Sequence, residues 1–249
     1  MIRLYKLETI QAQALAEGDD KMFYLHLDDE SSCQFNICMA ERPIIPTPKQ
    51  IVETYQIPGR HGSLTRLGAF EDISLPIPFN LLENENVKQK LRMFKGWLFS
   101  NKKKLRFSDD DVYYKIKHVE VGDIDNQIAE YGYFTVTFLL DPFQYAMTPY
   151  INSFTAGSLL NIGTKEAVPR ITVYGSGDIN LIVNDKTLQL KGVNGFIVID
   201  SELKLIYKEA ENLSEKTIGE FPLFKTGNNE IKWTGTVSEV SIEPRWRYI

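Results

Sequence analysis

Apolar and polar positions along the chain follow two periods. Val87, Leu91, Phe94 and Leu98 recur at the helical spacing with Trp97 beside them, while Lys88, Arg92 and Lys95 turn away. This predicts one principal helix within the stretch from Asn84, with an apolar stripe facing a core. Asn80 with Glu83, or Asn86 with Gln89, is placed to cap it, and Glu83 and Glu85 suit its positive end. Lys102, Lys103 and Lys104 suit its negative end. Gly96 costs about 1 kcal/mol relative to alanine inside a helix, which predicts close approach of another backbone there.

Nearly every other segment alternates with period two. Phe23, Leu25 and Leu27 oppose Met22, Tyr24 and His26, with Gln34 to Ala40 as a candidate partner strand. Pro43, Pro46 and Pro48 interrupt regular structure and Ile51 to Ile57 resumes it. Gly59 and Gly62 bracket Arg60 and His61 at a sharp reversal, and Leu64 to Ala69 continues as the second half of a long projecting hairpin. Ile73, Leu75, Ile77 and Phe79 share one face of the next strand with Pro76 and Pro78 on the other, which predicts an edge or a strand paired on one side only. Val112, Tyr114, Ile116 and His118 oppose Tyr113, Lys115 and Lys117, and Phe134, Val136, Phe138 and Leu140 make the cleanest inward face of all.

Around Pro142 and Pro149 the character changes to short apolar runs separated by GSGD, NDK, GVNG and GNNE. These runs predict an antiparallel β-sandwich. The fold class is therefore mainly β with one principal helix. A helix-bearing domain over residues 1–145 precedes a β-sandwich over 146–249.

Composition narrows the function classes. With Phe 14, Tyr 12, Trp 3 and 43% hydrophobic residues the chain fills real cores, and its formal charge of -5 offers no general attraction to nucleic acid or anionic membrane. The Lys102 to Lys104 cluster is the local exception, read first as a helix terminus and otherwise as a contact for passing nucleic acid. No run suggests a signal peptide or a membrane span, so folding in a cytosol is expected. Cys33 and Cys38 fall on opposite faces of an expected strand, which predicts packed thiols rather than a disulfide or a zinc site.

Candidate chemistry is sparse. Neither nucleotide-cradle spacing occurs, there is no G-x-S-x-G elbow or H-E-x-x-H pair, and Asp109 to Asp111 lack the glycine spacing of a calcium loop. Asp200 with Glu202 and Glu209 with Glu211 imitate glycosidase carboxylates only as commonly as any two acidic residues do. The sequence predicts no catalytic residue, no cofactor and no metal. Trp233 and Trp246 invite a sugar-binding reading, but their parity with Ile231, Val237, Val240 and Ile242 favours core packing.

Taken in order, GRHGSLTRLGAFEDISLPIPF, VKQKLRMFKGWLF, FTVTFLLDPFQY, NIGTKEAVPRITVYGSGDINLIVN, FPLFKTGNNEIKWTG and the terminal PRWRYI resemble the distal tail proteins of long-tailed phages with non-contractile tails, from about Met22 to Ile249. The resemblance implies a belt domain with one helix and a projecting hairpin, followed by a galectin-like β-sandwich. It implies a homohexameric ring at the distal end of the virion tail. Assembled in the host cytoplasm, this ring would join the major tail tube protein to a tail-tip hub protein, the tape measure and a receptor-binding protein, and act as the assembly hub of the adsorption apparatus. Arg60, His61, Leu64, Arg66 and Leu67 are then expected at the ring interface, and Lys102, Lys103 and Lys104 face either the lumen or solvent. A carbohydrate-binding adhesin module using Trp233 is the alternative. The galectin sugar-site histidine has no counterpart here, because no histidine lies beyond His118.

Overall fold

A computed structural model of the chain describes residues 23–35, 37–82, 87–123, 125–128, 131–148, 150–153 and 155–249. The amino-terminal stretch to Asp20, the capping residues Glu83, Glu85 and Asn86, and Pro149 lie outside the described residues. The chain divides into two compact units between Gln144 and Tyr145.

The first unit is built on β1 (Leu25–Leu27), β2 (Glu30–Ser31), β3 (Ile37–Met39), β4 (Gln50–Gln56), β5 (Ser63–Phe70), β6 (Ile73–Leu82), the helix α1 (Val87–Leu98), β7 (Lys104–Phe107), β8 (Val112–Val121), β9 (Asp125–Ile128) and β10 (Tyr131–Ala146). The main sheet runs β2-β1-β7-β8-β10-β6-β3, with β9 beside β10. Register explains the core: Phe134 pairs with Phe79, Val136 with Ile77, Phe138 with Leu75 and Leu140 with Ile73, so both apolar sets share one face. All of these side chains are buried.

On that face α1 lays Leu91, Phe94, Trp97 and Leu98, all buried, with Lys88, Arg92 and Lys95 exposed as the periodicity predicts. The Phe94 ring sits 5.6 Å from Phe79 and 5.7 Å from Phe134, which are themselves 5.8 Å apart. These spacings suit edge-to-face and stacked aromatic contact.

Several local expectations are corrected. Gly96 is on the exposed side of α1, and a Cβ there would meet nothing within 4 Å, so no backbone approaches it. Cys33 lies in a 3-10 turn, Ser32–Phe35, rather than on a strand, and both cysteines are free thiols. β3 pairs with β6, while β1 pairs with β2 and β7. The prolines do not put β6 at the sheet edge. Pro78 O accepts from Ala40 N at 2.8 Å, so Pro78 faces β3, and Pro76, at the same parity, also turns its nitrogen away from β10. β3 ends where those prolines begin, so among the described residues that part of β6 pairs in a ladder with β10 alone. The start of β8 is buried on both faces, because Lys104 Nζ covers the Tyr113 ring at 4.8 Å, whereas His118 is exposed.

The second unit begins with the end of β10, where the Ala146 N–H donates to Trp246 O at 2.9 Å. It continues through β11 (Ile151–Ser153), β12 (Gly157–Asn161), β13 (Arg170–Val183), β14 (Lys186–Asp200), β15 (Leu205–Lys208), β16 (Glu211–Asn212), β17 (Thr217–Gly219), β18 (Gly227–Glu243) and β19 (Arg247–Tyr248). The sheet order is β11-β18-β13-β14-β15-β16, with β12 on β18 and β17 on β14. Apart from the run that becomes β15, the predicted short strands are fused in pairs into three long ones, β13, β14 and β18. GSGD and GVNG are not reversals but bends, since Gly175 still faces Gly195 and the register slips only between Gly177 and Ile179. At the bend the backbones nearly touch: a Cβ on Gly175 would lie 2.2 Å from Thr236 O, and one on Gly235 2.5 Å from Asp178 O. The strands curl there, and residues before the bend (Ile171, Val173) and after it (Ile179, Leu181) enter one core with Ile199, Phe224 and Trp246.

The carboxy-terminal turn is held by charge. Arg245, at φ 54, donates to both oxygens of the buried Asp200 carboxylate at 2.9 and 3.0 Å and to Glu202 at 3.0 Å. Burial pushes the Asp200 carboxyl up, but Arg245 and the Leu203 and Glu202 N–H groups together outweigh it, and the acid titrates below the ordinary range.

Candidate assembly surface

β4 and β5 pair only with each other among the described residues. Their turn is permitted by Gly59 at φ 82 and Gly62 at φ 77, and closed by Arg60 N donating to Ile57 O at 3.1 Å. The base is fixed by Glu71 N to Lys49 O at 2.8 Å, by Gln50 Nε2 to Gly68 O at 3.1 Å, and by Phe70 against Phe143, 5.9 Å between ring centres. Beyond that base every residue from Gln50 to Ala69 is exposed.

Exposure here coincides with apolar composition on both faces. Val52 pairs with Leu67, and Tyr55 with Leu64. These pairs are three positions apart on each strand, so they point to opposite sides. Leu67 is 66% exposed and Val52 50%, and Ile44, in the proline-rich approach to the hairpin, reaches 89%. On the Tyr55 face Glu53 stands opposite Arg66 and accepts from the Tyr55 hydroxyl at 2.5 Å. An isolated two-stranded ribbon is marginal in water, and one with two apolar faces and two open edges is suited to being covered.

Of the predicted interface residues, Arg60 and His61 occupy the tip, Leu64 and Arg66 share one face, and Leu67 lies on the other. They form no single patch. Ile44, Ile45, Ile51, Val52, Tyr55 and Ile57 were not anticipated as exposed. For the last four the signal is the run IVETYQI, whose apolar residues fall on both parities.

The lysine cluster is largely engaged. Lys102 Nζ meets Glu30 Oε1 at 2.6 Å, and the Lys103 and Lys104 backbone N–H groups donate to the Asp28 carboxylate at 3.2 and 2.9 Å. With Lys104 over Tyr113, these residues close the turn into β7. Lys103 keeps an exposed side chain. Trp233 is half-buried beside a cavity of about 60 Å3 that Ile151, Leu159, Ile231 and Ile242 help to line. That is far below the roughly 300 Å3 at which small-molecule sites begin. Trp246 is buried, 5.3 Å from Phe224. Among the described residues no group of three or more His, Cys, Asp or Glu is arranged to hold a metal ion, and no helix is long and apolar enough to cross a membrane.

Residues 34–140 match the family of phage tail protein RIFT-related domains. Among solved structures, the chain is similar to the Dit protein (gp 19.1) of phage SPP1, described as a paradigm of the hub adsorption apparatus in phages infecting Gram-positive hosts. The identity is 14% with a TM-score of 0.66, over 92% of this chain and 100% of that one. Chains of the phage p2 baseplate in its activated conformation, with strontium and with calcium, align at TM-scores of 0.48 and 0.48 with 10% and 11% identity. They cover 89% and 88% of this chain and 97% and 96% of theirs. No curated protein matches by sequence. Residues 34–140 thus match a family model within the first unit, and the chain shares the mainly β fold of the SPP1 Dit protein.

Proposed function

We propose that this chain, whose residues 34–140 match the phage tail protein RIFT-related family, is a distal tail protein: a structural, non-catalytic component of the tip of a long non-contractile phage tail. Copies of it close into a ring. That ring joins the tail tube to the tip proteins and serves as the hub on which the adsorption apparatus assembles.

The hairpin of β4 and β5 carries this reading. A ribbon that is apolar on both faces gains most when its neighbour covers both, and a head-to-tail contact repeated around an axis closes a ring without leaving an arm uncovered. Burial of apolar area contributes about 25 cal/mol per Å2, so covering six exposed Ile, Val, Leu and Tyr side chains is a substantial drive for assembly. Arg60, His61, Leu64, Arg66 and Leu67 belong to that contact, extended by Ile51, Val52 and Tyr55.

Light scattering coupled to size-exclusion chromatography tests it. Wild type is expected as a closed ring and the Leu64→Asp, Leu67→Asp double variant as a folded monomer. Rings of wild-type size in the double variant, or a wild type that stays monomeric at every concentration, would overturn the proposal.

A further inference from the structure

The second unit holds a basic cavity that has no part in the hairpin. It lies beside the bend of β14, flanked by β15, β16 and the 3-10 turn Ser214–Lys216, and its volume is about 280 Å3. That is near the lower end of small-molecule sites, roughly 300 Å3. Lys191 of β14, Lys208 of β15, Lys216 of the turn and Glu211 of β16 line it together with Asn194 and Phe196.

Its geometry is set by the backbone. Gly192 at φ 62 and Gly195 at φ 82 bend the strand around the opening, and the Gly192 N–H is pinned by the Asp178 carboxylate at 2.9 Å. Lys208 is held in place: its Nζ donates to Asn194 O at 2.6 Å and stands 5.2 Å from the centre of the Phe196 ring. Neither partner neutralises its charge. Lys216 faces Glu211 at 3.7 Å, but the two side chains are 58% and 67% exposed, so water screens the pair and the carboxylate stays open to a second donor. Three ammonium groups stand against two carboxylates, the lining Glu211 and the Asp178 that holds Gly192, which leaves a local excess of one positive charge on a chain whose formal charge is -5. Such an excess in a concavity attracts a compact anion.

We propose that this cavity binds a phosphorylated sugar. The phosphate is met by Lys191, Lys208 and Lys216, which act as point charges toward its oxygens. The sugar hydroxyls donate to Glu211 and the Asn194 side-chain carbonyl. A nucleic-acid strand fits less well. The cavity has room for about one sugar unit rather than a track, and the aromatic ring a base would stack on already carries Lys208.

Isothermal titration calorimetry on the full chain, at fixed ionic strength, with glucose 1-phosphate, glucose, inorganic phosphate and a short single-stranded oligonucleotide tests the site. Glucose 1-phosphate should bind at least tenfold more tightly than glucose or phosphate. Lys208→Gln should weaken it about tenfold or more, the loss of one charge-assisted contact. Lys191→Gln and Lys216→Gln change exposed side chains and should each weaken it with unchanged thermal unfolding. Equal affinity for phosphate and glucose 1-phosphate, preference for the oligonucleotide, or affinity indifferent to Lys191→Gln and Lys216→Gln would overturn the proposal. The site is independent of ring formation, so the monomeric Leu64→Asp, Leu67→Asp variant should bind the sugar phosphate as wild type does. Loss of binding there would also count against it.

Discussion

Asp200 and Arg245 meet through two parallel hydrogen bonds of 2.9 and 3.0 Å, with the carboxylate almost wholly withdrawn from water. Removing Arg245 strands the buried Asp200 carboxylate, whereas removing Asp200 leaves Arg245 the Glu202 and Glu243 carboxylates at 3.0 and 3.4 Å. Arg245→Ala should therefore destabilise the second unit by about 3 kcal/mol or more, read from urea unfolding followed at its tryptophans. The pH dependence has a definite sign. Because the folded Asp200 carboxyl titrates below its unfolded range near about pH 4, its contribution is fully present above that pH and is lost as pH falls through the folded value. Asp200→Asn should flatten this acid limb; an unchanged acid profile would show that the pair is not what fails.

The helix offers two opposite tests within one turn. Phe94 is fully buried among Phe79, Phe134 and Trp97, and Phe94→Ala should cost about 3 to 5 kcal/mol. Gly96 faces open space, so Gly96→Ala should stabilise by up to about 1 kcal/mol. Chemical denaturation of both variants measures the contrast.

Gly175 should tolerate no side chain. Gly175→Ala places a Cβ 2.2 Å from Thr236 O, so the crossing of β13 and β18 must spread. The expected result is a loss of about 1 to 3 kcal/mol with faster amide exchange along both strands. Protection equal to wild type would mean that the bend absorbs the change.

Splitting the hairpin substitutions resolves which face binds. Leu64→Asp alters the Tyr55 face and Leu67→Asp the Val52 face. If both faces are covered in the proposed ring, each single variant should shift assembly to higher concentration, and sedimentation velocity across a dilution series would show it. Indifference to one of them would confine the contact to the other face.

Much of the first unit was legible in the sequence because its signals are local. The α1 stripe and the matched alternation of Ile73 to Phe79 with Phe134 to Leu140 encode the core directly, and Gly59 and Gly62 mark the hairpin turn. What escaped was non-local or ambiguous. β7, which pairs with β1, and β6, which pairs with β3, lie tens of residues away, and no periodicity specifies them. In the second unit, glycine pairs that ordinarily end strands instead bend them, a distinction decided by the closeness of β13 and β18 rather than by the dipeptides themselves. The basic cavity was invisible for the same reason, since Lys191, Lys208 and Lys216 are brought together only by the curl of the sheet.

The two-faced ribbon of β4 and β5 also has a cost before anything covers it. A newly made chain displays a ribbon unpaired among the described residues, with apolar side chains, to every other chain in the cell, and such a template recruits strangers as readily as siblings. Closure of the proposed ring and coagulation are then rival fates of the same surface. Their balance is governed by how fast subunits meet in the right orientation, so the rate of synthesis becomes a determinant of yield.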